Sequence, residues 1–294
     1  DHSDPNVLAA LARKHPQTRK PTYSAFLADP NFPRIKIDSD ILMAAIRELD
    51  HLAAPGTSPW SNTFLLAISQ IISFRTPRAK QIILSLTRYG ELFVNGDLPS
   101  WLYYLATAVR NVSLKKPDGG LRPIGMGCSL RAVLTKAVMH EGVSRKIATV
   151  VGPQQVAVGV KSGISMSLFG ATIHLGDDPE ATTIKVDVQN AFGSIERSAV
   201  VEVLTQMEDP ELRALARLVY FLLSPASPIT IGPAGARILA PCNSVIGLQQ
   251  GSNEGMPFFA LPLHVRVIKK ITRLPIPPLV SSIADDINLP GNAT

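Results

Sequence analysis

The chain has 294 residues, of which 46% are hydrophobic and 18% charged, and it carries a formal net charge of +6. This composition excludes a predominantly disordered chain and gives a core for one or two domains, while the basic balance selects an anionic partner, either nucleic acid or an acidic membrane surface. Cys128 and Cys242 are the two cysteines and match no zinc-ligand spacing, which excludes a disulfide scaffold or cysteine knuckle and fits a reducing compartment.

The N-terminal stretch reads as helices separated by proline: one over 7–14, one over 39–52, and further ones within 59–90. Leu42, Ile46, Leu49 and Leu52 recur at helical spacing and form a packing face. The longest apolar run, 64–74, is interrupted by Ser69 and Gln70 and is too short to span a bilayer, so it reads as a core helix and no membrane association is expected. The chain begins without methionine and ends at Thr294 without a polar tail, which reads as an excised part of a longer protein.

Beyond Trp101 the pattern changes. Extended runs at 111–114 and 121–124 flank Lys115-Lys116-Pro117-Asp118-Gly119-Gly120, a hairpin with a basic tip. Ser129 is placed to cap a helix running to about 148, with Leu130, Val133, Leu134, Ala137 and Val138 on its apolar side. Arg110, Lys115, Lys116, Arg122, Arg131, Lys136, Arg145 and Lys146 are opposed in this region by Asp118 and Glu141 alone, a concentration of positive charge suited to phosphates. A glycine-containing stretch follows over 152–163, then a helix to 175.

The last third alternates strand and helix: a β-branched strand over 182–188, helices over 196–207 and 211–223, two short strands within 227–240, a helix over about 254–272, and a strand over 279–283 that runs into Ala284-Asp285-Asp286. Asp187 and the pair Asp285/Asp286 therefore fall at strand ends. Three carboxylates brought together supply the hard oxygen ligands that nucleotidyl transfer needs for a pair of divalent cations about 3.5–4 Å apart. An Asp-Asp pair alone is usually only a turn, as Asp177-Asp178 before Pro179 is read to be.

Five segments in this order resemble the reverse transcriptases, most closely those of non-LTR retrotransposons and related retroelements, over about 112–289; upstream, 54–60 is similar to the Pro-Gly segment leading into the fingers of such enzymes. LKKPDGGLRPI (114–124) resembles the fingers hairpin, and the resemblance gives triphosphate contact to Lys115 and Arg122, with Lys116 as a substitute for Lys115. IKVDVQNAFGSIER (184–197) resembles the first carboxylate motif. It implies that Asp187 ligates metal with the Val188 carbonyl, and that Phe192 lies beneath the sugar and excludes a ribose 2′-hydroxyl. GLQQGSNEGMPFFAL (247–261) resembles the template-and-nucleotide loop through Gln250, Gly251 and Gly255, and departs from it at Ser252, Asn253, Glu254 and Met256, where Glu254 adds negative charge near nucleic acid. SSIADDINL (281–289) resembles the Tyr-Ala-Asp-Asp hairpin with Ile283 in place of tyrosine; Asp285 completes the metal site and Asp286 assists it. PQQVAVGVKSG (153–163) resembles the stretch between fingers and palm.

The resemblance implies an α+β, right-hand polymerase fold: a helical extension over 1–100, fingers over 101–178, and a palm over 179–294 with an antiparallel sheet packed on helices, ending before any thumb. It implies RNA-templated DNA synthesis from dNTPs with Mg²⁺, or Mn²⁺ in its place, an RNA template and a DNA primer as partners, and an intracellular location, nuclear or cytoplasmic. Two alternatives stand beside it. One is an RNA-dependent RNA polymerase, against which Phe192 argues; the other is a decayed retroelement copy that only binds nucleic acid, motivated by the departures after Gly251 and at Ile283.

Overall fold

The computed structural model describes residues 4–17, 24–53, 56–58, 60–73, 76–115, 117, 119–176, 180–232, 238–249, 251–274 and 280–292. In chain order the elements are α1 (Pro5–Lys14), α2 (Ser39–Arg47), α3 (Asn62–Ser73), α4 (Pro77–Asn95), α5 (Ser100–Ala106), β1 (Val109–Lys115), β2 (Leu121–Met126), α6 (Ser129–Val138), α7 (Glu141–Val151) and α8 (Gly163–Gly176). There follow β3 (Ala181–Val186), α9 (Ala191–Ser194), α10 (Arg197–Thr205), α11 (Pro210–Leu223), β4 (Ser227–Ile231), β5 (Ile238–Ser244), α12 (Gly255–Leu263), α13 (Lys269–Ile271), β6 (Ser281–Ile283) and β7 (Asp286–Asn292). The class is α+β.

Local chemistry sets several boundaries. Asp38 accepts from the backbone N–H groups of Asp40 and Ile41 and starts α2; Asp209 does the same for Glu211 and Leu212 ahead of Pro210 in α11. The helix expected over 39–52 ends at Arg47, because the Asp50 carboxylate takes the Leu52 N–H and the Asp50 carbonyl takes that of Ala53, a local turn that competes with helix continuation. The single helix expected over 129–148 is two. Its cap is Cys128, with Ser129 the first helical residue; Met139 leaves the helix at ψ 28, and a second helix restarts at Glu141. The helix expected over 254–272 is interrupted as well: Pro262 has no N–H to donate, and a π-helical turn, His264–Ile268, follows it. The expected core helix around 64–74 is a surface helix, α3, with Leu65 and Ser69 buried but Phe64 50% and Ile71 52% exposed. Apolar composition called the helix without telling which face would be covered.

The chain divides into two compact units, Asp1–His140 with Phe192–Gly255, and Glu141–Ala191 with Met256–Thr294. The first unit contains a four-stranded sheet in the order β2-β1-β4-β5, in which β1 and β4 are parallel and the other pairs antiparallel. Its core includes the α10–α11 pair, where Val200, Leu204, Leu215 and Val219 are buried; at ~25 cal/mol per Å² of apolar surface, such side chains contribute roughly 1.5–3 kcal/mol each. Leu11 of α1 packs on Ile229, Ile231 and Cys242 of the sheet. The second unit contains a three-stranded antiparallel sheet in the order β3-β7-β6.

Candidate functional site

In the second unit, the pairing of β3 with β7 runs from Ala181↔Asn292 to Val186↔Ile287, so Asp187, one residue further, falls at the level of Asp286. β7 pairs on its other side with β6, ending at Ile283↔Asp286, and Ala284-Asp285 form the two-residue turn between them. Strand order alone thus brings Asp187 to the same end of the sheet as Asp285 and Asp286. Asp187 and the neighbouring Val188 are exposed, and Asp285 and Asp286 are half-buried. Among the described residues no group of three acidic, histidine or cysteine side chains is close enough to hold a metal ion. Asp286 instead accepts an ion pair from Lys185 Nζ at 3.2 Å. The ligand chemistry and the backbone register suit a hard divalent cation, and Asp286 is already engaged by Lys185.

The acidic turn is held from a direction that sequence reading missed. Gln155, 1% exposed, donates from Nε2 to the Ala284 carbonyl at 3.1 Å and accepts the Ala284 N–H on Oε1 at 3.1 Å. The same Oε1 accepts from Ala157 N–H, while Ser282 N–H donates to the Gln154 carbonyl at 2.6 Å and Val156 N–H to the Ser282 carbonyl at 3.0 Å. Residues 154–156 therefore run beside β6. The only sequence signal was the position of this stretch among the five resembling segments.

In the first unit, Phe192, half-buried in α9, lies beside the loop that begins at Gly247. Its carbonyl accepts the Leu248 N–H at 2.7 Å, and the Ile195 carbonyl accepts that of Gly247 at 3.0 Å. Gly247 has φ 77, and a Cβ there would fall 2.5 Å from the Phe192 carbonyl oxygen, so the close approach requires glycine. Arg197 fastens the same segment: buried, it donates to the carbonyls of Gly247 (2.8 Å), Leu223 (2.8 Å) and Ser244 (3.2 Å) and to Ser244 Oγ (2.7 Å). Gly251 lies against β2, where its Cβ position would be 3.6 Å from Ile124 Cγ2. Gln250 falls outside the described residues.

Glu254 does not present the surface charge expected of it. It is buried and ion-paired at 2.7 Å with Arg131 of α6, their side chains 6% and 4% exposed, and Arg131 also donates to Gln249 Oε1 at 3.2 Å. Asn253 Nδ2 donates to the Ala132 carbonyl at 3.0 Å. The residues that depart from the resembling pattern thus tie the loop to α6.

The β1–β2 hairpin exposes Lys115 and Arg122. Its register pairs Arg122 with Leu114 and Lys115 with Leu121, so the two cations occupy successive levels, and side-chain alternation points them to opposite faces. Lys116 lies outside the described residues. Of the eight cations counted between 110 and 146, Arg131 is buried on Glu254, Lys136 meets Glu48 at 2.8 Å, and Arg145 meets Glu141. The positive surface is narrower than the sequence count. Among the described residues, no helix is long and apolar enough to cross a membrane. The chain matches no protein-family model and no curated protein.

Proposed function

We propose that this chain is the fingers-and-palm portion of a reverse-transcriptase-like polymerase, copying an RNA template into DNA from dNTPs. The observation that carries this reading is the strand order β3-β7-β6, which sets Asp187 abreast of the turn bearing Asp285 and Asp286 although a hundred residues separate them. In the reaction, the primer 3′-oxygen bonds to the α-phosphorus of a dNTP and pyrophosphate leaves. Asp187 and Asp285, with the Val188 carbonyl, would hold Mg²⁺, which supplies charge neutralisation at the phosphates and a more acidic 3′-hydroxyl. Lys115 or Arg122, which point to opposite faces of the hairpin, contacts triphosphate oxygens, and Phe192 sets the preference for deoxynucleotides. Primer extension on an RNA template tests the reading: synthesis with dNTPs and Mg²⁺ is expected, falling at least ~100-fold in Asp187→Ala and in Asp285→Ala. Undiminished synthesis by either variant ends it, and a preference for NTPs moves the assignment to an RNA-dependent RNA polymerase.

A second reading is favoured by a specific observation. Asp286 is ion-paired with Lys185, and the loop after Gly251 is tied down through Glu254. Both fit a chain that retains nucleic-acid binding and has lost synthesis. Salt-sensitive RNA binding without any metal-dependent extension assigns the chain to that class.

A further inference from the structure

The Ala284-Asp285 turn contains an unfavourable backbone conformation. Ala284 has φ 57, a region that costs a non-glycine residue roughly 1–2 kcal/mol and persists only where its surroundings enforce it. A two-residue turn on a three-residue strand such as β6 supplies little enforcement of its own. Gln155 supplies it: one carboxamide satisfies both the N–H and the C=O of Ala284 from the side remote from β7, as a neighbouring strand would. Its own position is fixed by burial, by the Ala157 N–H and by the backbone bonds of Gln154 and Val156 to Ser282. No apolar side chain can make this contact, and a carboxylate can make only the accepting half of it.

We infer that Gln155 is the positioning residue of the acidic turn, fixing the Ala284 backbone and thereby the direction in which Asp285 leaves it. What that direction serves rests on the polymerase reading, in which Asp285 is a metal ligand; the restraint itself does not. Gln155 touches no reacting group, so its removal is expected to change the geometry of cation binding rather than the chemistry of the ligands.

The test compares the parent chain with Gln155→Met, Gln155→Glu and Ser282→Ala by amide hydrogen exchange at Ala284 and by Mn²⁺ binding followed through water-proton relaxation. Ser282→Ala is the control, because it deletes the buried Oγ bond to the Gln154 carbonyl, 3.0 Å long, at the same junction without touching the turn. Gln155→Met is expected to speed Ala284 exchange about tenfold or more and to weaken Mn²⁺ binding about tenfold, with Gln155→Glu intermediate in exchange and Ser282→Ala within about twofold of the parent. Should Gln155→Met not fold, Gln155→Glu carries the comparison. Unchanged exchange at Ala284, or equal acceleration by Ser282→Ala, overturns the assignment. Faster exchange with unchanged Mn²⁺ affinity removes its link to the cation. A parent chain that binds no Mn²⁺, combined with exchange accelerated only by the Gln155 variants, leaves the positioning role standing and defeats the polymerase reading instead.

Discussion

Single residues in the loop that starts at Gly247 show how departures from a familiar pattern are absorbed. Glu254 reads in the sequence as an unwelcome charge, yet its buried pairing with Arg131 makes it an anchor. Removing one member strands the other, so Arg131→Met or Glu254→Met alone is expected to lower unfolding free energy by roughly 3–5 kcal/mol, while the double Met variant recovers most of that loss. Chemical denaturation of the three variants gives the coupling directly; additive losses would contradict the pairing. Gly247→Ala has a different cause, a backbone collision with Phe192 at φ 77, and is expected to cost roughly 2–4 kcal/mol in the same assay. Sequence reading matched Gly251 and Gly255 and gave Gly247 no role, because the carbonyl that requires it lies some fifty residues away in the chain.

At the level of elements, sequence reading succeeded where a local rule decides. The hairpin over 111–124, the β-branched strand before Asp187, and the helices over 7–14 and 211–223 all appear. It failed where one local rule competes with another, as at Asp50, Met139 and Pro262. Helix α1 was legible from its pattern, but its anchoring was not: His15 closes the helix with its Nε2 buried and without a hydrogen-bond partner in the structure. Burial first, and the positive charge of Arg197 second, lower its pKa from 6.5 to about 4. The neutral form is therefore the one that folding favours. Its contribution is fully present above pH 6.5 and is lost as pH falls from there towards about 4, amounting to roughly 1–3 kcal/mol. Thermal unfolding of His15→Gln between pH 7 and 4.5 should show a shallower acid destabilisation than the parent; identical slopes would mean that His15 is not the titrating group.

For the whole molecule, net charge pointed to an anionic partner, and the structure redistributes that charge. Arg131, Lys136 and Arg145 already face carboxylates, so the cations that bear on a polyanion are fewer than the sequence count. In RNA-binding titrations, Lys115→Ala and Arg122→Ala are each expected to reduce the slope of log K against log salt by about 1, whereas Lys136→Ala and Arg145→Ala leave it nearly unchanged. Equal effects from all four would show that the carboxylate partners do not compete with phosphate. The acidic end of the sheet was readable only in outline. Strand ends placed Asp187 and Asp285 near one another, but the pairing of Lys185 with Asp286 and the hold of Gln155 on Ala284 follow no sequence pattern.

The pairing of β3 with β7 also has a temporal consequence. On a ribosome, Val186 emerges long before Ile287, its partner across the sheet. At synthesis rates of roughly 5–20 residues per second, that strand waits roughly 5–20 s with no β7 to close its inner edge. Ile184 and Val186, solvent-exposed even in the finished fold, are then available to any other extended chain. Yield during expression should therefore depend on temperature and chaperone supply more steeply than the stability of the finished protein does.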